Sequence, residues 1–248
     1  MSRRTLLGAA GLAAVLAIWE AAARSGLVLG ALLPPPSGVP AAFLNELRLG
    51  IWPTMVEASL VHYVIGLVVG SALGVAAGIA VALFPTVDAA QSWLARLLRP
   101  IPPLAWIPFA IIWFGISETA AAFIIAIGIF WINYFTAHAA VRAVDKDLIE
   151  LATAFGHGAF WAKLGKVILP AASPGILSGL RSGLGQGWMT VVAAELFGIT
   201  GIGQRMMEAA GLLATQVVIV YMLTIALLYG LSDALFVAVQ KRLLRWQR

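Results

Sequence analysis

"ELATAFGHGAFWAKLGKVILP", Glu150 to Pro170, is a polar, glycine-punctuated stretch between long apolar runs. It starts on an acid, carries Lys163 and Lys166, and spaces Gly156, Gly158 and Gly165 along its length. It closes on Leu169-Pro170. Overlapping its start, "VRAVDKDLIELATAFG", Val141 to Gly156, reads as a short amphipathic helix. Val144, Leu148, Leu151 and Phe155 share one face, with Asp145, Asp147 and Glu150 off it. Gly156 and Gly158, on either side of His157, stop that helix and turn the chain. "AFWAKLGKVILP" then forms a second short helix or turn that leads into the next apolar run.

The chain around this segment is unusually greasy. Of 248 residues, 61% are apolar and 11% charged, and the mean hydropathy is +0.96. A soluble domain carries about 25% charged residues. So large an apolar excess does not fit a water-facing surface, and the chain reads as an all-α integral membrane protein. The net charge of +5 is not a nucleic-acid signal. Its basic residues flank apolar runs instead of lining one face. With no cysteine, disulfides, thiolate metal sites and cysteine nucleophiles are excluded.

A helix crossing the hydrocarbon needs about 20 apolar residues. Six candidate spans follow, residues 6–23, 58–84, 102–115, 120–140, 174–197 and 216–240, the third of them short and broken by prolines. They make one transmembrane domain over residues 1–248, with residues 141–170 as its loop between spans four and five. Ser2-Arg3-Arg4 and Ala21–Ala23 have the outline of an export signal. The rest of the chain is membrane-embedded, however, so this segment reads as an uncleaved first span held by Arg3 and Arg4. The loop Leu33–Trp52 opens with prolines and then forms a short interfacial helix. The loop Gly198–Gln216 is glycine-rich and then helical.

Lys and Arg set the orientation. With the N-terminus inside, the cytoplasmic side holds twelve: Arg3, Arg4, Arg96, Arg99, Arg142, Lys146, Lys163, Lys166, Lys241, Arg242, Arg245 and Arg248. The outer side holds three: Arg24, Arg48 and Arg205. Both termini and the Glu150–Pro170 stretch are therefore expected in the cytoplasm.

Several features stand inside the spans. Gly66, Gly70, Gly74 and Gly78 recur every four residues and fall near one helix face. Such a stripe lets another helix approach closely, either as tight packing or as a sliding surface. "PIPPLAWIPFAIIWFG", Pro100 to Gly115, carries four prolines that break helical hydrogen bonding. It belongs among helices or on a cavity wall, as a path element or as a bent scaffold. Arg181, at the inner end of span five, is expected to snorkel to the interface. Glu195, at the outer end, caps the loop at Gly198 or lines an outer mouth. Asp233 in span six calls for a polar partner in the bundle. His62 and His138 read as polar packing residues, and no metal-ligand spacing surrounds either. No phosphate-cradling loop is present, so any ATP use belongs to another chain. "GITGIG" lacks the strand context of a dinucleotide site.

Glu150-Leu151-Ala152, Gly156 and Ile168-Leu169-Pro170 resemble the cytoplasmic signature of ABC importer permeases. In that signature, Glu-Ala-Ala is followed three residues later by Gly and then by an apolar residue before Leu-Pro. "RPIPPLAWIPFAIIWFGISET", "ILSGLRSGLGQGWMTVVAAELFG" and the terminal "KRLLRW" are similar to the nitrate/sulfonate/taurine group of that superfamily. The resemblance runs from about Leu33 to Trp246. Leu151 stands where the pattern has Ala, and the interval from Gly156 to Pro170 is one residue longer than usual. The extra residue is expected in the turn at Gly158.

The resemblance implies a type I ABC importer permease fold with coupling helices between spans four and five, in a bacterial inner membrane. It implies a second permease subunit, in a homodimer, two cytoplasmic ATPases that use ATP and Mg, and an extracytoplasmic solute-binding protein. No cofactor is expected on this chain, and no catalytic residue or metal. Glu150, Leu151, Ala152, Gly156, Leu169 and Pro170 take ATPase docking and coupling. Trp106, Gln186, Trp188 and Glu195 are assigned to a path for a small oxyanion or organic acid. A secondary transporter would show inverted repeats and paired intramembrane carboxylates, and neither is evident. A structural subunit without a path is the other alternative.

Overall fold

The computed structural model describes residues 3–26, 29–30 and 32–244. The Arg245 and Arg248 of the charge count and the end of "KRLLRW" lie outside the described residues, as do the side chains of Arg3 and Arg4. Every regular element among the described residues is helical. In chain order they are α1 (Arg3–Arg24), a 3-10 turn (Pro36–Gly38), α2 (Val39–Arg48), α3 (Ile51–Leu83) and α4 (Pro85–Leu98). A second 3-10 turn (Pro103–Trp106), α5 (Ile107–Phe114), α6 (Glu118–Arg142) and α7 (Lys146–Ala154) follow. The last are α8 (Phe160–Lys163), a π turn (Leu164–Ile168), α9 (Leu169–Glu195), α10 (Ile202–Gly211) and α11 (Thr215–Leu243).

Four of these helices, α1, α3, α6 and α11, are long and apolar enough to cross a membrane. A fifth crossing is possible where α4 meets the Pro103–Phe114 segment, two halves bent by 92° at their break. The expected third span, 102–115, therefore holds a 3-10 turn and an eight-residue helix only. Eight residues rise about 12 Å, far short of the hydrocarbon thickness. Prolines at 100, 102 and 103 remove donors here and prevent one straight helix. The expected fifth span is α9, whose 27 residues are long enough but carry many glycines and polar residues.

Contacts group the chain into two compact units. The first is Met1–Ser59 with Thr200–Leu227. The helix expected in 33–52 appears here as α2, and the helical part of 198–216 as α10. An ion network ties the two. Arg205 on α10 donates to both carboxylate oxygens of Glu46 on α2, at 2.6 and 3.1 Å. The Tyr221 hydroxyl donates to the same carboxylate at 2.8 Å. Glu46 is fully buried, so these bonds offset the cost of removing its charge from water. Its carboxyl is held below the usual carboxylate range by the Arg205 hydrogen bond, against the opposing effect of burial. The same bond raises the Arg205 guanidinium.

The second unit is Leu60–Ile199 with Leu228–Arg248, and α6 is its centre. Ala121, Ile125, Ile129 and Ala137 on α6 are all sealed from solvent. The glycine stripe of α3 lies on one side of α6. A methyl added at Gly70 would sit 2.5 Å from the Ala126 carbonyl, and one at Gly74 2.6 Å from that of Phe130. Gly66 and Gly78 meet Ile125 and the Tyr134 carbonyl in the same way. A second stripe, Gly175, Gly179, Gly183 and Gly187 on α9, faces α6 as well, against Ala140, Thr136, Asn133 and Ile129. Lipid supplies no hydrophobic drive between helices, so close backbone approach is what holds such a layer together.

Candidate functional site

The break between α4 and α5 opens onto a cavity of about 460 Å³ in the second unit. Arg99 and the prolines at 100, 102 and 103 form one wall, Trp131, Phe135 and Gly128 of α6 another, and Ser182 and Gln186 of α9 a third. Gly128 is small for a reason: an added methyl would meet the Thr190 hydroxyl at 2.8 Å and the Pro103 ring at 3.1 Å. A neighbouring cavity of about 360 Å³ is lined by Asp88, Gln91, Arg96, His138 and Tyr134. Arg99 and Phe135 line both cavities. The Arg99 guanidinium lies 4.8 Å from the centre of the Phe135 ring.

Of the four residues assigned to the path, Gln186 lines the larger cavity. Trp106 is half-buried in the 3-10 turn, its ring against Phe109. Trp188 is 2% exposed and stacks on Tyr63 with ring centres 4.3 Å apart. Glu195 is fully buried, 3.0 Å from the His62 ring nitrogen Nδ1. It lines neither cavity. A carboxylate at that burial is costly without partners, and the His62 ring is one partner of Glu195. Arg181 does not simply snorkel. It forms a bidentate pair with Asp233, at 2.6 and 2.7 Å, which also supplies the partner that Asp233 required. His138 sits 3.1 Å from Asp88, which also faces Arg142 at 3.9 Å.

The signature segment is helix, turn and helix. Asp145 caps α7 by accepting from the Asp147 N–H at 2.9 Å. At its other end, Gly156 takes φ of +84°, and no side chain is needed there. The His157 N–H donates to the Ala152 carbonyl at 2.8 Å and the Gly156 N–H to that of Thr153 at 3.1 Å, a Schellman closure. Ala152 is buried, Leu169 half-buried, and Glu150, Leu151, Gly156 and Pro170 are exposed. Leu148, Leu151 and Phe155 form an uncovered apolar row on α7, at 47, 53 and 75% exposure. Trp161 is also exposed.

The π turn Leu164–Ile168 carries one residue more per turn than an α-helix, and the Leu169 N–H donates back five residues to Leu164. It lies just before Pro170, whose ring would crowd an ordinary turn. Further along, Pro174 lacks the N–H that would bond the Pro170 carbonyl. The Ser173 hydroxyl donates to that carbonyl instead, at 2.8 Å.

Sequence reasoning missed the second glycine stripe, although its spacing of four was available in "PGILSGLRSGLGQG". It also missed Arg99, which lies three residues after Arg96 and was counted with it among the cytoplasmic charges.

The sequence matches the family described as "Binding-protein-dependent transport system inner membrane component" over residues 70–248. It is 37% identical to the taurine transport system permease protein TauC of Escherichia coli K12, over 99% of this chain and 91% of the relative. It is 35% identical to a putative aliphatic sulfonates transport permease protein, SsuC of the same strain, over 94% and 88%. Its fold matches a chain of the inward-facing MetNI methionine ABC transporter with a TM-score of 0.61 and 20% identity, over 78% of this chain and 98% of that one. The chain therefore belongs to the binding-protein-dependent transport system inner membrane component family, the permease subunits of ABC importers.

Proposed function

We propose that this permease passes a small oxyanion or organic acid of the sulfonate, taurine or nitrate type, delivered by a binding protein, at the expense of ATP hydrolysed on separate subunits. The observation that carries the solute class is the 37% identity to a taurine permease across 99% of the chain. The sulfonate permease, at 35% identity, points to the same chemistry.

Six crossings follow if the bent pair is one broken span. The third then runs from Pro85 to Phe114 instead of starting at Pro102. α9 crosses despite its glycines because α6 covers that face, and a covered helix need not be apolar all round. Arg96 and Arg99 move from the cytoplasmic tally into this span. The twelve inner charges become ten against three, still inside-positive. Both termini and α7 remain cytoplasmic, in a bacterial inner membrane.

The exposed row Leu148, Leu151 and Phe155 suits a helix laid into a groove of an ATPase. Glu150, Leu151, Ala152 and Gly156 hold that knob, and Leu169 and Pro170 pass its movement into α9. A second copy of this permease and a second ATPase complete the assembly. ATP and Mg act on the ATPases; the chain itself needs no cofactor.

Two experiments test the reading. The ATPase should co-purify with this permease and be lost when Leu151 and Phe155 are both changed to Asp. In reconstituted vesicles, Gly156→Asp should leave the chain in the membrane but uncouple ATP hydrolysis from solute. Solute-stimulated hydrolysis at the wild-type level in that variant would remove the coupling role.

A further inference from the structure

The cavity at the α4–α5 break carries an unspent positive charge. Among the described residues, Arg99 makes no ion pair and no side-chain hydrogen bond, only the stacking contact with Phe135. The nearby acid, Asp88, is already engaged by His138 and Arg142. Arg181 and Arg205, by contrast, each hold a carboxylate. An arginine inside a span without a counter-charge is costly unless it faces water or a ligand. Irregular backbone is tolerated at membrane depth only where it lines a cavity, and Arg99 sits at such a break.

We propose that this cavity binds a small organic anion, with Arg99 as its counter-charge. The inference rests on the importer reading above and deepens it to a site. The guanidinium presents a planar fork of donors matched to an oxyanion head. Gln186 supplies a further N–H. Its amide nitrogen donates to the Thr190 hydroxyl at 3.3 Å, which leaves its second hydrogen free. The hydroxyls are not the donors: Ser182 and Thr136 give their protons to backbone carbonyls at 3.2 and 2.8 Å. Trp131, Phe135 and the prolines form an apolar wall for the carbon part of the solute. A cavity of about 460 Å³ holds a solute of a few heavy atoms with water to spare. Arg99 also lines the neighbouring cavity, so one guanidinium faces the solute in either chamber.

The test uses the complete importer in proteoliposomes. The chain has no cysteine, so Ser182→Cys places a single permease thiol on the cavity wall. That thiol is labelled with the anionic sulfonatoethyl and the cationic trimethylammonioethyl methanethiosulfonates. Each rate is divided by that reagent's rate with 2-mercaptoethanol. The anionic reagent should react at least about fivefold faster, the ratio should fall to about one in Arg99→Gln, and Arg99→Lys should restore most of it. If Arg99→Gln does not assemble with the ATPase, Gln186→Glu serves in its place and should lower the ratio too. A ratio near one with Arg99 present, or one that neither Arg99→Gln nor Gln186→Glu moves, overturns the site. ATP-driven uptake of taurine and ethanesulfonate is read in the same vesicles. No uptake by the wild type, with the labelling preference intact, retires the solute class proposed above and supports the anion cavity. Uptake by the wild type, with labelling indifferent to Arg99, retires the cavity and leaves the importer reading standing.

Discussion

Arg205 and Arg99 are the same side chain in opposite settings. Arg205, in the first unit, is closed in by Glu46 and Glu208, and Tyr221 joins on the shared Glu46 carboxylate. Arg99, in the second unit, faces two cavities and touches an aromatic ring. A closed network spends its charge on the fold, because three of the guanidinium's donors are bonded to carboxylates inside the protein. An open one keeps its charge for something that comes and goes. The contrast extends to glycines: Gly70 and Gly74 are pressed against backbone, whereas Gly156 and Gly165 meet nothing within 4 Å.

The sharpest way to break this comparison is to delete one member of the closed network. Glu46→Ala leaves Arg205 and the Tyr221 hydroxyl without their shared acceptor and should cost about 3–5 kcal/mol. Arg99→Gln should change stability by no more than about 0.5 kcal/mol. Thermal unfolding in lipid nanodiscs measures both, and equal losses would erase the distinction.

Acid sharpens the same point. The Glu46 carboxyl titrates lower in the folded protein than in the unfolded chain, so the stability it contributes is fully present above the unfolded value. That stability is lost as pH falls through the lower, folded value. The melting temperature should therefore drop below about pH 4, where an unfolded Glu takes up its proton, and Glu46→Gln should remove that part of the drop. An identical acid profile in the variant would detach the effect from Glu46.

Among the glycines, Gly74→Leu forces α3 away from α6 and should cost about 1–3 kcal/mol. Gly165→Ala, in open space, should stay within about 0.5 kcal/mol of the wild type. Size-exclusion profiles and melting curves of the two variants separate a packed stripe from an idle one. The smallest effect is expected at Leu213, the one described non-glycine residue with positive φ, at 55°. Leu213→Gly relieves a left-handed conformation and should gain up to about 1 kcal/mol. A loss there would mean that the side chain contributes more than the strain costs.

Much of the helical frame was legible because its signals are local. Apolar length announced α1, α3, α6 and α11, and Gly156 announced the end of α7. The bent pair of α4 and the Pro103–Phe114 segment was not legible as one run. Its first half, "PTVDAAQSWLARLL", is too polar and short to count alone, and its break depends on where prolines leave carbonyls. Trp188 and Glu195 were singled out for their chemistry inside a greasy chain, but the sequence did not show that Tyr63 and His62, more than a hundred residues away, lie against them. Gln186, assigned to the path, lines a cavity, while Arg99 was hidden among flanking charges that the inside-positive count treats alike.

By itself, the sequence determined a helical membrane chain, the polar segment at Glu150–Pro170 and the family that the segment signals. Those properties depend on hydropathy, spacing and residue type over short distances. Only the tertiary structure decided which charges are spent. Arg181 met Asp233, Arg205 met Glu46, and Arg99 met no acid, because pairing depends on which helices lie side by side. The extra residue between Gly156 and Pro170 was visible as a count. The π turn before Pro170 was not: it belongs to the geometry of one helix that runs on into α9.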